Sequence, residues 1–176
     1  MAVVCKPPTP ISVDDYIKHM IFLAGSIEMG TAENWQEKLT EKLISIYGLT
    51  ILNPRRDDWN SDWKQSIAHN KFKEQVDWEL DGIKNADTVI FYFDPNTKSP
   101  ITLMELGMVA GMANPDQNVI VCCPEGFWRK GNVDILCSRM KNVNLIVVKD
   151  LETLINTTHE FIEYQLGNKD ENNTEI

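Results

Sequence analysis

Basic charge is scarce in this sequence: 17 Lys and Arg stand against 26 Asp and Glu, for a formal net charge of −9. A protein whose main partner is a nucleic-acid polymer needs a positive field to displace condensed counterions, so that class is excluded. A single nucleotide needs only a few local donors and is not. Cysteine is also sparse. Cys5, Cys122, Cys123 and Cys137 show no CxxC spacing and no histidine at metal-ligand distance, and Cys122–Cys123 sits in an apolar run. These four read as reduced thiols of a cytoplasmic protein, with no metal site. The apolar runs are far too short to cross a bilayer, no signal-type segment follows Met1, and no internal repeat is visible, so no membrane partner is expected. Neither a GxGxxG fingerprint nor a P-loop is present.

What is there is ordinary globular material: 43% hydrophobic and 24% charged residues over 176 positions, enough for one domain with a sizeable core. That domain is expected over residues 20–166. Residues 1–19 form a Pro-rich extension, in which Val3-Val4-Cys5 can pair at a sheet edge. The polar tail 167–176 is expected to be disordered.

The chain is organised around the stretch from Asp87 to Gly111. Thr88 to Phe93 is a near-continuous β-branched and aromatic run, suited to a strand buried on both faces. Asp94-Pro95-Asn96 breaks it, Pro100 suits the first turn of a helix, and apolar residues recur at helical spacing from Ile101 to Met112. Within that helix Glu105 lies between Met104 and Leu106, either as a solvated helix residue or as a catalytic group.

Before this stretch, Ile21–Ala24 reads as a buried strand, Gly25-Ser26-Ile27 as a turn, and Trp35, Leu39, Leu43 and Ile46 as one face of a helix with Thr31 at its N-cap and Gly48 at its C′ position. A second strand, Leu49–Leu52, runs into residues 53–63. There Arg55, Arg56, Trp59 and Trp63 either meet a ligand's anionic group and base or form a salt-bridged lid. A helix over Phe72–Ala86 carries Asp77, Glu79 and Asp81. Asn118–Cys123 and Asn144–Val148 read as two further strands, with a short helix over Val133–Met140 between them and a closing helix over Leu151–Leu166. Strands alternating with helices predict a flavodoxin/Rossmann-like α/β fold: a five-stranded parallel sheet, order 2-1-3-4-5, with helices on both faces. Topology alone brings Gly25, Ser26, Ile27, Asp94, Ser99 and Glu105 to the switch point between strands 1 and 3.

The segments IFLAGSI, WELDGIKNAD and FDPNTKSPITLMELG, in this order and spacing, resemble the nucleoside 2-deoxyribosyltransferase family and the related 2′-deoxynucleoside 5′-monophosphate N-glycosidases. The resemblance covers roughly residues 20–150, and MELG is its most specific part. It implies that Glu105 is the nucleophile that attacks C1′ of the deoxyribose and forms a covalent glycosyl ester, as in a retaining glycosidase. Glu79 falls where the family has an aspartate that contacts the base or assists proton transfer, with Asp77 and Asp81 as alternatives. Gly25, Ser26 and Ile27 match the loop that lines the sugar. Ser99 stands where transferases acting on free nucleosides carry an aspartate for the 5′-hydroxyl and the monophosphate glycosidases carry serine. Lys98 beside it favours an anion. Asp134, at a position the family donates from a neighbouring subunit, opposes one. The implied substrate is a deoxynucleoside or deoxynucleotide, with water or a free nucleobase as acceptor and no cofactor. A homodimer or larger homo-oligomer is implied, because a helix as uniformly apolar as Ile101–Met112 needs further cover. The alternatives are a non-catalytic nucleotide-binding module of the same fold and, less favoured, a flavodoxin-like regulatory domain.

Overall fold

The computed structural model describes residues 1–12, 17–28, 32–112, 114–141 and 143–172, the stretch 168–172 by backbone alone. Six parallel strands, β1 (Val3–Cys5), β2 (His19–Gly25), β3 (Leu49–Leu52), β4 (Thr88–Tyr92), β5 (Asn118–Cys122) and β6 (Asn144–Val148), form one sheet in the order β1-β3-β2-β4-β5-β6. The expected five-strand order is thus present, and the sheet is wider than expected by one strand. Val3, Val4 and Cys5 pair in register with Thr50, Ile51 and Leu52, closing what would otherwise be the exposed β3 edge.

The connecting helices are α1 (Trp35–Leu43), α2 (Asn70–Asn85), α3 (Pro100–Met112), α4 (Lys130–Arg139) and α5 (Leu151–Asn172). Alternation within the fully buried strands assigns each residue to one of two cores. Met20, Phe22 and Ala24 of β2, with Val89, Phe91 and Phe93, pack with Trp78, Ile83, Leu106, Val109 and Val133 of α2, α3 and α4. Ile21, Leu23, Ile90, Tyr92 and Ile120 pack with Trp35, Leu39, Leu43, Leu154 and Ile162 of α1 and α5. Nearly every residue of β2, β4 and β5 is buried, which is why these segments read as continuous apolar runs.

Some local expectations are corrected. The N-cap of α1 is Asn34, with no capping side-chain bond to the backbone, and Thr31 lies outside the described residues. Helix α1 stops at Leu43. Gly48, at φ +78°, turns the chain into β3 instead of capping the helix. Helix α5 runs past Leu166 to Asn172, and residues 173–176 of the expected tail lie outside the described residues.

The order reverses at β2. Its crossover to β3 goes one way with α1 on one face, and the next, through α2, returns over β2 to β4 on the other face. Gly25 and Tyr92 are register partners at the carboxyl ends of β2 and β4, so the loops that follow them share one crevice.

Candidate active site

The crevice is built first by hydroxyls. Ser26 Oγ accepts a hydrogen bond from Asp94 N at 2.8 Å. It also lies 2.5 Å from Ser99 Oγ and 3.0 Å from Thr97 Oγ1, and Thr97 and Ser99 are themselves 2.7 Å apart. All three side chains are buried. Asp94 is spent on its own loops, accepting from Asn96 N at 2.8 Å and Glu33 N at 3.1 Å. Gly25 is required by packing: a Cβ there would stand 2.5 Å from the Trp35 indole and 2.8 Å from Tyr92 O. Ile27 is half-buried next to Glu28. Glu28 Oε1 accepts from Lys98 N at 2.6 Å and Ser99 N at 3.1 Å, the two amides immediately before α3.

Glu105 lies on the second turn of α3 and is buried, at 6% exposure. Glu79, on α2, is half-buried and accepts from Gln75 Nε2 at 2.8 Å. Burial pushes the Glu105 carboxyl up to about 8, with repulsion from Glu79 as the second cause. Burial likewise pushes Glu79 up to about 7, against the Gln75 hydrogen bond, which lowers it. Two carboxyls in one desolvated space cannot both ionise freely, so the pair retains a proton near neutral pH. A carboxylate nucleophile needs donors around it, and Ser26, Tyr92 and the start of α3 are the candidates to supply them. Among the described residues none reaches its carboxyl group: Ser26 is held by Ser99 and Thr97, and the amides before α3 are taken by Glu28.

Asp77 and Asp81 stand apart from this pair. They lie two residues either side of Glu79, which turns them to the opposite side of α2. Both are exposed, Asp77 is paired with Lys73, and both line an outer groove with Pro10, Ile11 and Trp78. Asp81 is therefore not brought to Glu105.

The loop 53–63 separates its two arginines. Arg56 is 8% exposed, bonded to Asp58 at 2.5 Å and Glu74 at 2.9 Å, and lies 5.0 Å from the Trp63 ring, so its donors are occupied. Arg55 has Nε and Nη2 buried with no hydrogen-bond partner among the described residues, and desolvation lowers its pKa against the nearby Glu37 carboxylate. Trp59 is 39% exposed and meets Trp63 edge-on at 5.2 Å. Asp134 is exposed and paired with Lys130 within α4. Lys98 is exposed, its ammonium 4.6 Å from the Trp128 ring, whose other cation is Arg129 at 4.3 Å.

Sequence reasoning missed Glu28, Gln36, Gln75 and Thr97. Gln75 was findable, since an amide four residues before a buried carboxylate shares its helical row. Gln36 is fully buried with both amide atoms unpartnered among the described residues, and Gln75 Oε1 is also unpartnered.

Together these features gather three hydroxyls at the carboxyl ends of β2 and β4 and set Glu105 and Glu79, on different helices, close enough to repel each other. A family model described as nucleoside 2-deoxyribosyltransferase like matches residues 18–127, more than half of the chain. The chain belongs to this family. A comparison with curated proteins gives no match. For this nucleoside 2-deoxyribosyltransferase-like protein, the matched span runs from the start of β2 to the loop after β5 and contains Glu28, Arg55, Glu79, Ser99 and Glu105. Helix α4, with Asp134, falls outside it. No helix among the described residues is long and apolar enough to cross a membrane.

Proposed function

We propose that the chain cleaves the N-glycosidic bond of a 2′-deoxynucleoside or its 5′-monophosphate and passes the sugar to water or to a second base. The observation that carries this reading is the pairing of buried Glu105 with half-buried Glu79 on the neighbouring helix, both carboxyls raised by desolvation. A carboxylic acid and a carboxylate are the two groups that a retaining displacement at an anomeric carbon needs.

In the free protein the more strongly raised Glu105 holds the retained proton; for the first half-reaction it moves to Glu79, from which it passes to a ring nitrogen of the base. Ionised Glu105 forms the new C1′–O bond as the C–N bond breaks and its electron pair leaves with the base. In the second, water or another base attacks C1′. The ester C–O bond breaks, Glu105 regains its carboxylate, and the proton lost by the attacking group returns to Glu79. Every step is a proton transfer or a substitution, so the reaction requires no redox cofactor. Burial of Glu105 opposes its ionisation in the free protein. Substrate binding must therefore supply the positive field, which an oxocarbenium-like C1′ does as it develops.

Arg55, whose guanidinium has open donors, suits the polar edge of the base, and the partly exposed Trp59 of the same loop can offer an apolar face. The enzyme is proposed to act in the cytoplasm as a homodimer or larger homo-oligomer. Ile101, Met104 and Met112 of α3 are 54%, 56% and 40% exposed, and α3 also carries Glu105. A second copy covering this face would stiffen the nucleophile's helix. Light scattering at micromolar concentration should give at least twice the monomer mass, and a monomer would remove this element.

A second reading, a non-catalytic nucleotide-binding module, is favoured by one observation: no donor reaches Glu105 among the described residues. Incubation with a panel of 2′-deoxynucleosides and their monophosphates, with and without an added base, separates the two. Chromatography should show free base, and exchanged nucleoside if the acceptor is a base. Binding without any base release would favour the module.

A further inference from the structure

We infer that Gln75 is a positioning residue that decides which oxygen of Glu79 carries the proton and ties the other oxygen to the loop after β3. The inference rests on the deoxyribosyl reading above for the role it gives Glu79. Gln75 is buried near the start of α2, one helical turn before Glu79. Its Nε2 donates to Glu79 Oε1 at 2.8 Å and to Pro54 O at 2.9 Å. A side-chain amide nitrogen has two hydrogens and accepts nothing, so these two bonds use it completely. The Pro54 carbonyl can only accept, which fixes the amide with its nitrogen toward both partners. The cost of that orientation falls on the other side of the group, where Gln75 Oε1 is buried with no hydrogen-bond partner among the described residues.

In a neutral carboxyl group the carbonyl oxygen is the better acceptor. The oxygen that faces Gln75 is therefore the unprotonated one, and the hydrogen sits on Oε2. Oε2 makes no hydrogen bond among the described residues, which leaves it to meet a base. In the free protein the same amide favours the carboxylate form and opposes the upward push of burial. Glu105 of α3 is the titratable group that repels Glu79 from the neighbouring helix, while Asp77 and Asp81 lie on the opposite side of α2. Arg56 of the loop is held by Asp58 and Glu74. When the proton arrives from Glu105 it is taken on Oε2 and leaves from there to the ring nitrogen, and the restored carboxylate keeps its bond to Gln75. The loop enters through the same group. Pro54 is bonded to Gln75 and Arg56 to Glu74, so two successive residues of α2 clamp residues 54–56. Any movement of this loop toward a ligand draws on the bond that orients the acid.

The test follows Glu79 by NMR in protein labelled with carbon-13 at its glutamate carboxyls, the Glu79 signal being the one lost in Glu79→Gln. Wild type is compared with Gln75→Met and Gln75→Leu, which keep the bulk and remove the amide, each checked for folding by circular dichroism. Glu79 should titrate at about 7 in wild type and about one pH unit higher in either variant. In base release the alkaline limb of the kcat/KM profile should move up by a similar interval. At pH 7 kcat should fall by about 10-fold with KM within about 2-fold of wild type, a split that packing damage alone does not produce. In wild type itself the Gln75 side-chain NH2 resonances should shift with the Glu79 midpoint, a readout that needs no variant to fold. An unmoved Glu79 midpoint in a folded variant, a loss of kcat with the pH profile unchanged, or Gln75 NH2 signals indifferent to pH between 5 and 9 would overturn the inference. If wild type releases base from no deoxynucleoside or monophosphate, the deoxyribosyl reading fails instead, and the two titrations still decide whether Gln75 holds Glu79.

Discussion

The two ends of the central strands bury polar groups to opposite effect. At the amino end, Asp87 Oδ2 accepts from Met20 N at 2.7 Å, and Gln117 Nε2 donates to Ile83 O at 2.8 Å and Ala86 O at 2.9 Å. His19 Nε2 lies 2.8 Å from Thr88 Oγ1. These side chains stitch β2, β4 and β5 together and bridge to the end of α2. At the carboxyl end, no hydrogen bond reaches Glu105 among the described residues, and Arg55 and Gln36 hold buried donors without partners among them, whereas at the amino end the open atom is an acceptor, Gln117 Oε1. Leaving a buried polar group unpaired costs roughly 1–3 kcal/mol, so a fold tolerates it mainly where something else is to be bound. At the amino end the bonds that are made tie the strands together, and at the carboxyl end the open donors belong to Arg55 and Gln36.

The largest expected effect comes from reversing this division at single residues. Glu105→Gln should lower base release by about 10⁴-fold or more while the fold and nucleotide binding remain, because an amide keeps the shape but not the nucleophile. Asp87→Asn, at the other end, should leave kcat intact and cost about 1–3 kcal/mol of stability, read by urea unfolding. If Asp87→Asn proved the more damaging to turnover, the contrast between the ends would collapse.

Next in size is Glu79→Gln. Loss of the general acid should reduce kcat by about 10²–10⁴-fold, with a smaller loss for nucleosides whose base leaves easily unprotonated. Asp81→Asn, two residues away on the outer side of α2, should change neither kinetic constant.

The pH dependence of stability sharpens the comparison further. The folded-state pKa values of Glu105 and Glu79 are raised to about 8 and about 7. Their favourable contribution is therefore complete below the ordinary carboxyl range and is lost as pH rises through these values. Wild-type stability should fall between about pH 5 and pH 8. Glu105→Gln should flatten that slope and exceed wild type above pH 8 by ~1–3 kcal/mol, measured by denaturant unfolding across pH.

The smallest effect divides the two arginines. Arg55→Ala should raise KM by about 10-fold with little change in melting temperature, since its open donors await a ligand. Arg56→Ala should leave KM unchanged and lower the melting temperature, since its partners are Asp58, Glu74 and Trp63. The reverse pattern would exchange their roles.

These contrasts also mark how far the sequence could be read. The buried strands were legible because a parallel sheet covered on both faces needs unbroken apolar runs, as in Thr88–Tyr92. The switch point followed from strand order, and with it the meeting of Ser26 and Ser99. Strand β1 was visible only as an edge candidate, because three residues carry no periodicity. What sequence could not supply was the partnering of polar side chains across long separations. Arg55 and Arg56 are adjacent and chemically identical, and only their surroundings show that one is occupied and the other open. Glu28 and Ser99 are 71 positions apart, so no local pattern predicts that one accepts from the other's amide. Asp81 shares a helix with Glu79, but the helical repeat turns it outward.

The central claim, that Glu105 at the carboxyl end is a nucleophile, is tested most directly by trapping the intermediate. Wild-type protein incubated with a slow 2-fluoro-2-deoxy nucleoside, digested and examined by mass spectrometry should carry a fluorodeoxyribosyl ester on the peptide containing Glu105, and Glu105→Gln should carry none. Base release at the wild-type rate by Glu105→Gln, or an adduct on another residue, would contradict the account.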